Sequence, residues 1–404
     1  MDLTYSEEQK HIQQQAREFF ERDCPLTLVR EAWGSDAGLP DKQWRAMADL
    51  GWIGALLPEA YGGLGLSFTD VSRLLEEMGR GLLPGPYLPT LWGAQAILLA
   101  GSEAQKKAHL PRIAKGDEKV ALARCLEGGR FDRSGGRFYA DAQTKGKGEG
   151  FLLFGEKLSV LGLAQADWIV VPAVLGLPEP LESGLTWFLI ERTRPGVIVQ
   201  PLETMEGGWK QASLRLDGVQ VGVANQMSGG AGPHPGASVL AQVEALVDLS
   251  LAFDALGGAQ KVTDITVAYA RLRTAFGQPI GAYQAVKHKC ADMLFATENL
   301  RSAAIWAAWV LDAPGATGAV SPKLATAMAR ATAIDSYSEV VRHGIQTHGA
   351  IGVTEEHDVP LFAKRAMTLA QSFGGVGHYH ETILRESGYP TGTEDVSRLG
   401  MEKR

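Results

Sequence analysis

Residues 239–262, VLAQVEALVDLSLAFDALGGAQKV, are apolar around most of the circumference of a helix. A surface helix needs only one apolar stripe, so a helix of this kind must be enclosed on several sides. Its neighbours are present in the sequence. Apolar residues return at helical spacing over 284–311, 321–348 and 357–372, with short Gly/Pro breaks between these segments. Four long helices with short connections predict a C-terminal four-helix bundle over residues 237–404.

Residues 1–118 carry a helical pattern as well. Ser6 followed by Gln9 has the form of a capping box, and Ile12, Ala16, Phe19 and Phe20 then recur at helical spacing. A second helical pattern over 41–57 ends in the loop LPEAYGGLGLSF, whose Tyr61-Gly62-Gly63 reads equally as a loop beside a pocket or a tight turn. A third helix is expected to begin near Thr69 and stop at Gly79 and Gly81. Near residue 119 the texture changes. Short β-rich runs at 151–154, 157–160, 168–174, 185–190 and 197–199 alternate with turn residues, which suits an antiparallel barrel or sandwich over 119–225. The stretch QMSGGAGPHPGA then reads as a linker or surface loop. The fold class is therefore α+β, in the order helical domain, β domain, helical bundle.

At 404 residues the chain exceeds one hydrophobic core, in keeping with two or three domains. Its net charge of −7 gives no reason to expect nucleic acid or an anionic membrane as partner. Cys24, Cys125 and Cys290 lie far apart, without metal spacing, and fit a reducing compartment. The start, MDLTYSEEQK, lacks the form of a secretory signal, and no apolar run reaches about 18 residues, so a cytoplasmic location without a membrane span is expected. No GxGxxG or phosphate loop occurs, and GGVG at 374–377 lacks the lysine and hydroxyl of one. His378-Tyr379-His380 has poor spacing for two ligands on one helix face and reads as a surface or interface pair. His343 and His348 read as packing, as do Trp306 and Trp309 in their alanine-rich helix.

Residues 269–293, YARLRTAFGQPIGAYQAVKHKCADM, resemble the YAxxRxxFGxPI…Q segment of the acyl-CoA dehydrogenase family nearly position for position. QTHGAIG at 346–352 is similar to the family's QxxGGxG, and GEKLSVLGLAQADWIVV to its middle-domain hairpin and following strand. YGGLGLSF and EEMGR add further agreement, so the resemblance spans essentially the whole chain. It implies the family's fold and α,β-dehydrogenation of an acyl-CoA thioester with FAD, with electron-transfer flavoprotein as acceptor. In the family these two segments hold the ADP half of a flavin whose ring lies in the neighbouring subunit. The resemblance carries that cofactor role to Arg273, Phe276, Ile280, Tyr283, Gln284, Gln346, Gly349, Ala350 and Gly352. Their chemistry agrees: Arg273 offers a cationic fork for phosphate, Gln284 can bond sugar or ribityl hydroxyls, and the small residues admit a flat ligand closely.

The chain departs from the family where proton removal is needed. The glutamate of the family's EGT motif aligns with Phe373, and the alternative position on the first long bundle helix aligns with Val247; neither side chain accepts a proton. Asp248 is adjacent, but one residue along a helix turns a side chain by about 100°, and its charge would repel a CoA phosphate. On the flavin-ring side, the family's TEPxAGSD aligns with residues 123–130, placing Ala123 and Gly129 where hydroxyls belong, and its WxT becomes Ser159-Val160-Leu161. These departures imply the non-catalytic chain of a heteromer, an α2β2 heterotetramer with a homologous catalytic subunit that holds most of the acyl-CoA site and shares its FAD. Steroid side chains or other bulky acyl-CoA substrates fit the heteromeric analogy. An active homotetramer with an unidentified base, and a scaffold without flavin, remain the alternative expectations.

Overall fold

The computed structural model describes residues 5–36, 38–124, 138–143, 150–176, 184–227, 235–313 and 320–389. They form a helical N-terminal part, with α1 (Glu7–Asp23), α2 (Leu26–Trp33), α3 (Asp41–Asp49), α4 (Phe68–Arg80), α5 (Tyr87–Ala100) and α6 (Glu103–Ala114), then a middle sheet and a C-terminal helical part. They fall into two compact units, one of residues 1–17, 68–82 and 248–404, the other of 18–67 and 83–247.

The bundle unit is organised around the part of α7 (Pro235–Leu272) from Asp248 onward. Every residue from 245 to 259 on this helix is buried, as a helix apolar on most sides requires. Each fully buried Leu, Val or Phe there contributes about 1.5–3 kcal/mol relative to exposure. The polar exceptions are matched: Asp254 pairs with the buried Arg365 at 3.0 Å, and Asp248 accepts the Tyr379 hydroxyl at 2.7 Å. Three of the following helices are α8 (Gln284–Asp312), α9 (Pro322–His348) and α10 (Val359–Gln371), each within a few residues of its expected span; a shorter α11 (Val376–Glu386) follows. Ser321 caps α9, its side chain accepting the Leu324 N–H at 3.0 Å.

The helix from Phe68 to Arg80 belongs to the same unit and ends between Gly79 and Gly81, as expected. A Cβ on Gly79 would stand 2.0 Å from the carbonyl oxygen of Asp254, and one on Gly257 would stand 1.8 Å from that of Glu76. The two glycines let the helix backbones touch, so Gly79 marks a crossing as well as the last turn of its helix. The start of this helix is capped from far away in sequence. Asp312 accepts the N–H groups of Phe68 at 2.9 Å and Thr69 at 2.8 Å. Ser6 and Gln9 do form a reciprocal capping box, at 3.1 and 3.2 Å.

The other unit holds an eight-stranded sheet, β1 (Val120–Leu122), β2 (Tyr139–Gln143), β3 (Gly150–Leu161), β4 (Trp168–Leu175), β5 (Leu185–Glu191), β6 (Val197–Leu202), β7 (Gln211–Gly222) and β8 (Gln226–Met227). Its order is β6-β7-β3-β2-β4-β5-β8, with β1 beside β4. The β1–β4 and β2–β4 pairs are parallel, so the sheet is mixed. The runs 151–154 and 157–160 are one strand, paired antiparallel with β7 from Gly150↔Gly222 to Leu161↔Gln211. Register shifts at Leu153/Phe154 and at Lys157/Val160 interrupt the alternation and give β3 its two-piece look in sequence. Phe138, Leu153, Ile169, Val171, Phe188 and Leu214 are among the residues of the sheet core. Residues 228–234 of the expected linker lie outside the described residues.

Candidate functional site

Helix α7 ends at Leu272, and the Arg273 N–H still donates to the Tyr269 carbonyl at 2.8 Å. The chain then turns back on itself. Strands Thr274–Ala275 and Gln278–Pro279 pair antiparallel, leaving Phe276 and Gly277 as the two-residue tip. Both tip residues are left-handed, with φ of 52° and 84°. That is the turn whose twist matches a hairpin, and it favours Asn or Gly at both positions. A phenylalanine held there costs about 1–2 kcal/mol. Packing within the chain does not offset this cost, because Phe276 is 98% exposed. The hairpin is braced from below: Tyr283 donates its hydroxyl to the Ala275 carbonyl at 3.0 Å, and the Ile280 N–H donates to the Arg273 carbonyl at 2.8 Å. Tyr283 and Ile280 are half-buried, and Gln284 opens α8 immediately beyond them.

The second segment lies at the end of α9. Gln346 is exposed on the last turn, and Gly349 follows with φ 66° and ψ −136°, a conformation reserved for glycine. Ala350 is exposed beside it and Gly352 is buried. The two segments are tied together by a ring stack, Tyr269 on His348, with centroids 4.4 Å apart. His348 is buried, its Nδ1–H donates to the Gly344 carbonyl at 2.7 Å, and its ring also meets His357 at 4.5 Å. Burial disfavours the charged imidazole and lowers its pKa, with His357 adding to the effect against the pull of the Gly344 carbonyl. The histidine expected to be packing is therefore packing of a specific kind, a neutral brace between the two segments.

The side chains of Arg273, Gln284 and Gln346 are exposed and make no hydrogen bond or ion pair among the described residues. A cationic fork and two amides are thus uncommitted around a rigid hairpin and a glycine turn. This donor set fits a pyrophosphate with neighbouring hydroxyls, which is the ADP half of FAD.

At the positions expected to lack a base, Phe373 has φ 65° and its carbonyl accepts the Tyr379 hydroxyl at 2.7 Å. Val247 is fully buried. Asp248 is occupied by that same Tyr379 hydroxyl, at 2.7 Å. Sequence reasoning missed Tyr379, which is buried between the half-buried His378 and the exposed His380. On the sheet unit, Ala123 is buried, and Arg124 beside it forms a two-oxygen ion pair with Glu244, its Nε lying 2.7 and 2.6 Å from the carboxylate oxygens. Ser159 donates its hydroxyl to Gln211, and Leu161 is buried. Gly129 and the rest of 125–130 lie outside the described residues.

Comparison with known proteins settles the family. Residues 6–117 match the description "Acyl-CoA dehydrogenase, N-terminal domain" and residues 248–388 "Acyl-CoA dehydrogenase, C-terminal domain". The chain belongs to the acyl-CoA dehydrogenase family. Members of this family are FAD-dependent oxidoreductases. Acyl-CoA dehydrogenase FadE34 of Mycobacterium tuberculosis is 31% identical over 88% of this chain, which spans 44% of that longer protein. Among solved structures, the ChsE4-ChsE5 complex from Mycobacterium tuberculosis superposes with a TM-score of 0.84 at 26% identity, covering 97% of this chain and 100% of that one. A G363A variant of the Tcur3481-Tcur3483 steroid ACAD gives a TM-score of 0.80 at 26% identity, covering 94% and 98%.

Proposed function

We propose that this acyl-CoA dehydrogenase family chain is the non-catalytic subunit of a heteromeric enzyme, completing the ADP end of an FAD held by a homologous catalytic partner in an α2β2 heterotetramer. The observation that carries this reading is the uncommitted set Arg273, Gln284 and Gln346 around the strained, exposed Phe276, on a chain whose base positions hold Phe373 and Val247. Arg273 would hold the pyrophosphate, Gln284 and Gln346 would bond hydroxyls, and Phe276 would lie against the cofactor. Bound FAD supplies the two-electron oxidant for α,β-dehydrogenation of an acyl thioester. The proton must leave to a carboxylate of the partner, since this chain offers only hydrocarbon at both family positions. Electron-transfer flavoprotein is the acceptor that goes with this reading. Likeness to a complex of two differently named chains and to a steroid ACAD supports the pairing and a bulky, steroid-derived acyl-CoA as substrate.

The test is flavin per subunit and turnover, measured on the lone chain and on the reconstituted complex. Arg273→Ala in the complex should weaken flavin retention by about 10- to 100-fold, the worth of a charged hydrogen bond. A lone chain with a full complement of flavin and turnover would overturn the proposal.

A further inference from the structure

A groove of about 580 Å³ runs between α8, α9 and α11. Its floor is made of small buried residues, Ala296 and Ala331, while Phe295 on one wall is 72% exposed. Small floor and open wall leave room for a large apolar side chain from outside. The rim is acidic. Asp292, Asp335 and Glu339 line it, with His380 as the one basic group among the lining residues. Glu339 lies 3.6 Å from His343, but Asp292 and Asp335 make no hydrogen bond or ion pair among the described residues.

The position of the groove connects it to the candidate cofactor site. Asp292 lies eight residues along α8 from Gln284, about 12 Å further along the helix and about 80° around it. Glu339 lies seven residues before Gln346 on α9, on one face and about 10 Å away. A chain that reaches Gln284 and Gln346 with its flavin therefore has the groove as the next surface along both helices.

Charge decides between occupants. A second copy of this chain docking about a two-fold axis would bring the same carboxylates against each other, a repulsive arrangement. A partner with lysine or arginine flanking a bulky apolar anchor would meet both the charge and the shape.

We infer that this groove is the docking surface for the homologous catalytic subunit, engaged by a partner element that inserts a large apolar side chain between Lys or Arg residues. The inference rests on the heteromeric reading above and adds where the partner binds and what chemistry selects it. Two kinds of measurement on the complex co-purified from the source, or reconstituted from its two chains, test it. Carbodiimide coupling, which joins a carboxylate to an amine without a spacer, should link Asp292 or Asp335 to a lysine of the homologous chain. The double variant Asp292→Lys/Asp335→Lys should lower recovery of that chain at least tenfold, and Asp292→Asn/Asp335→Asn should lower it by less. The asparagine variant also serves if the lysine variant does not fold. Full assembly by both variants, without links from these carboxylates, would overturn the groove while leaving the cofactor reading to its own Arg273→Ala test. Self-association of the lone chain that the lysine variant abolishes would assign the groove to a second copy and overturn the inference. A companion that is not a homologous dehydrogenase, or no companion at all, would overturn both.

Discussion

Phe276 gives the sharpest test, because stability and cofactor binding should move in opposite directions when it is replaced. Its backbone is left-handed and its ring is 98% exposed, so the chain bears the conformational cost without any internal contact in return. Asparagine tolerates this conformation far better than phenylalanine. Phe276→Asn should therefore raise the unfolding free energy of the lone chain by about 0.5–1 kcal/mol. The same change removes an aromatic surface offered to a ligand, worth about 1 kcal/mol, so flavin retention in the complex should fall by about fivefold. Urea unfolding of the isolated chain reads the first effect, and fluorescence titration of flavin into the stripped complex reads the second. A destabilisation above about 1 kcal/mol would mean the ring packs within its own chain, contrary to its exposure. A stabilised chain with unchanged flavin binding would show that the strain serves something other than the cofactor.

Gly79→Ala should destabilise the bundle by at least about 3 kcal/mol, because its Cβ would stand 2.0 Å from the Asp254 carbonyl oxygen and neither backbone can yield cheaply. Gly377→Ala, on α11 with nothing within 4 Å of the added carbon, is the control and should be neutral or stabilising by up to about 1 kcal/mol in the same denaturation experiment. His348 predicts acid sensitivity. Its folded pKa lies below the ordinary 6.5, so the unfolded chain takes up the proton first, and its contribution is fully present above about pH 6.5 and lost as the pH falls below it. His348→Gln should flatten this part of the stability profile between pH 7.5 and 5.5, and an unchanged slope would assign the sensitivity elsewhere.

Helix positions were legible because burial repeats with the helical period, and α7 illustrates this best. Its apolar circumference required enclosure, and residues 245–259 are buried on all sides. The sheet was less legible. β7 was not foreseen and β3 was split in two, because strand pairing joins distant residues and the two register shifts break the alternation that marks a strand. At the candidate site, the residue types of the Arg273–Gln284 and Gln346–Gly352 segments were readable, whereas the Tyr269–His348 stack that joins them was not. Tyr379 was missed for a related reason. Its neighbours drew the eye as a histidine pair, while its own bonds reach Asp248 and Phe373 through space.

By itself the sequence determined what local chemistry can determine: which segments coil, which side chains could face a phosphate, and that Phe373 and Val247 cannot take a proton. Only the tertiary structure decided that Gly79 is a crossing, that Asp312 caps a helix 243 residues away, that Phe276 is strained and bare, and that acids line a groove beside Gln284 and Gln346. The division has a physical cause. Identity and period are properties of neighbours along the chain, whereas exposure, close approach and cavity shape depend on residues that meet only once the chain has folded.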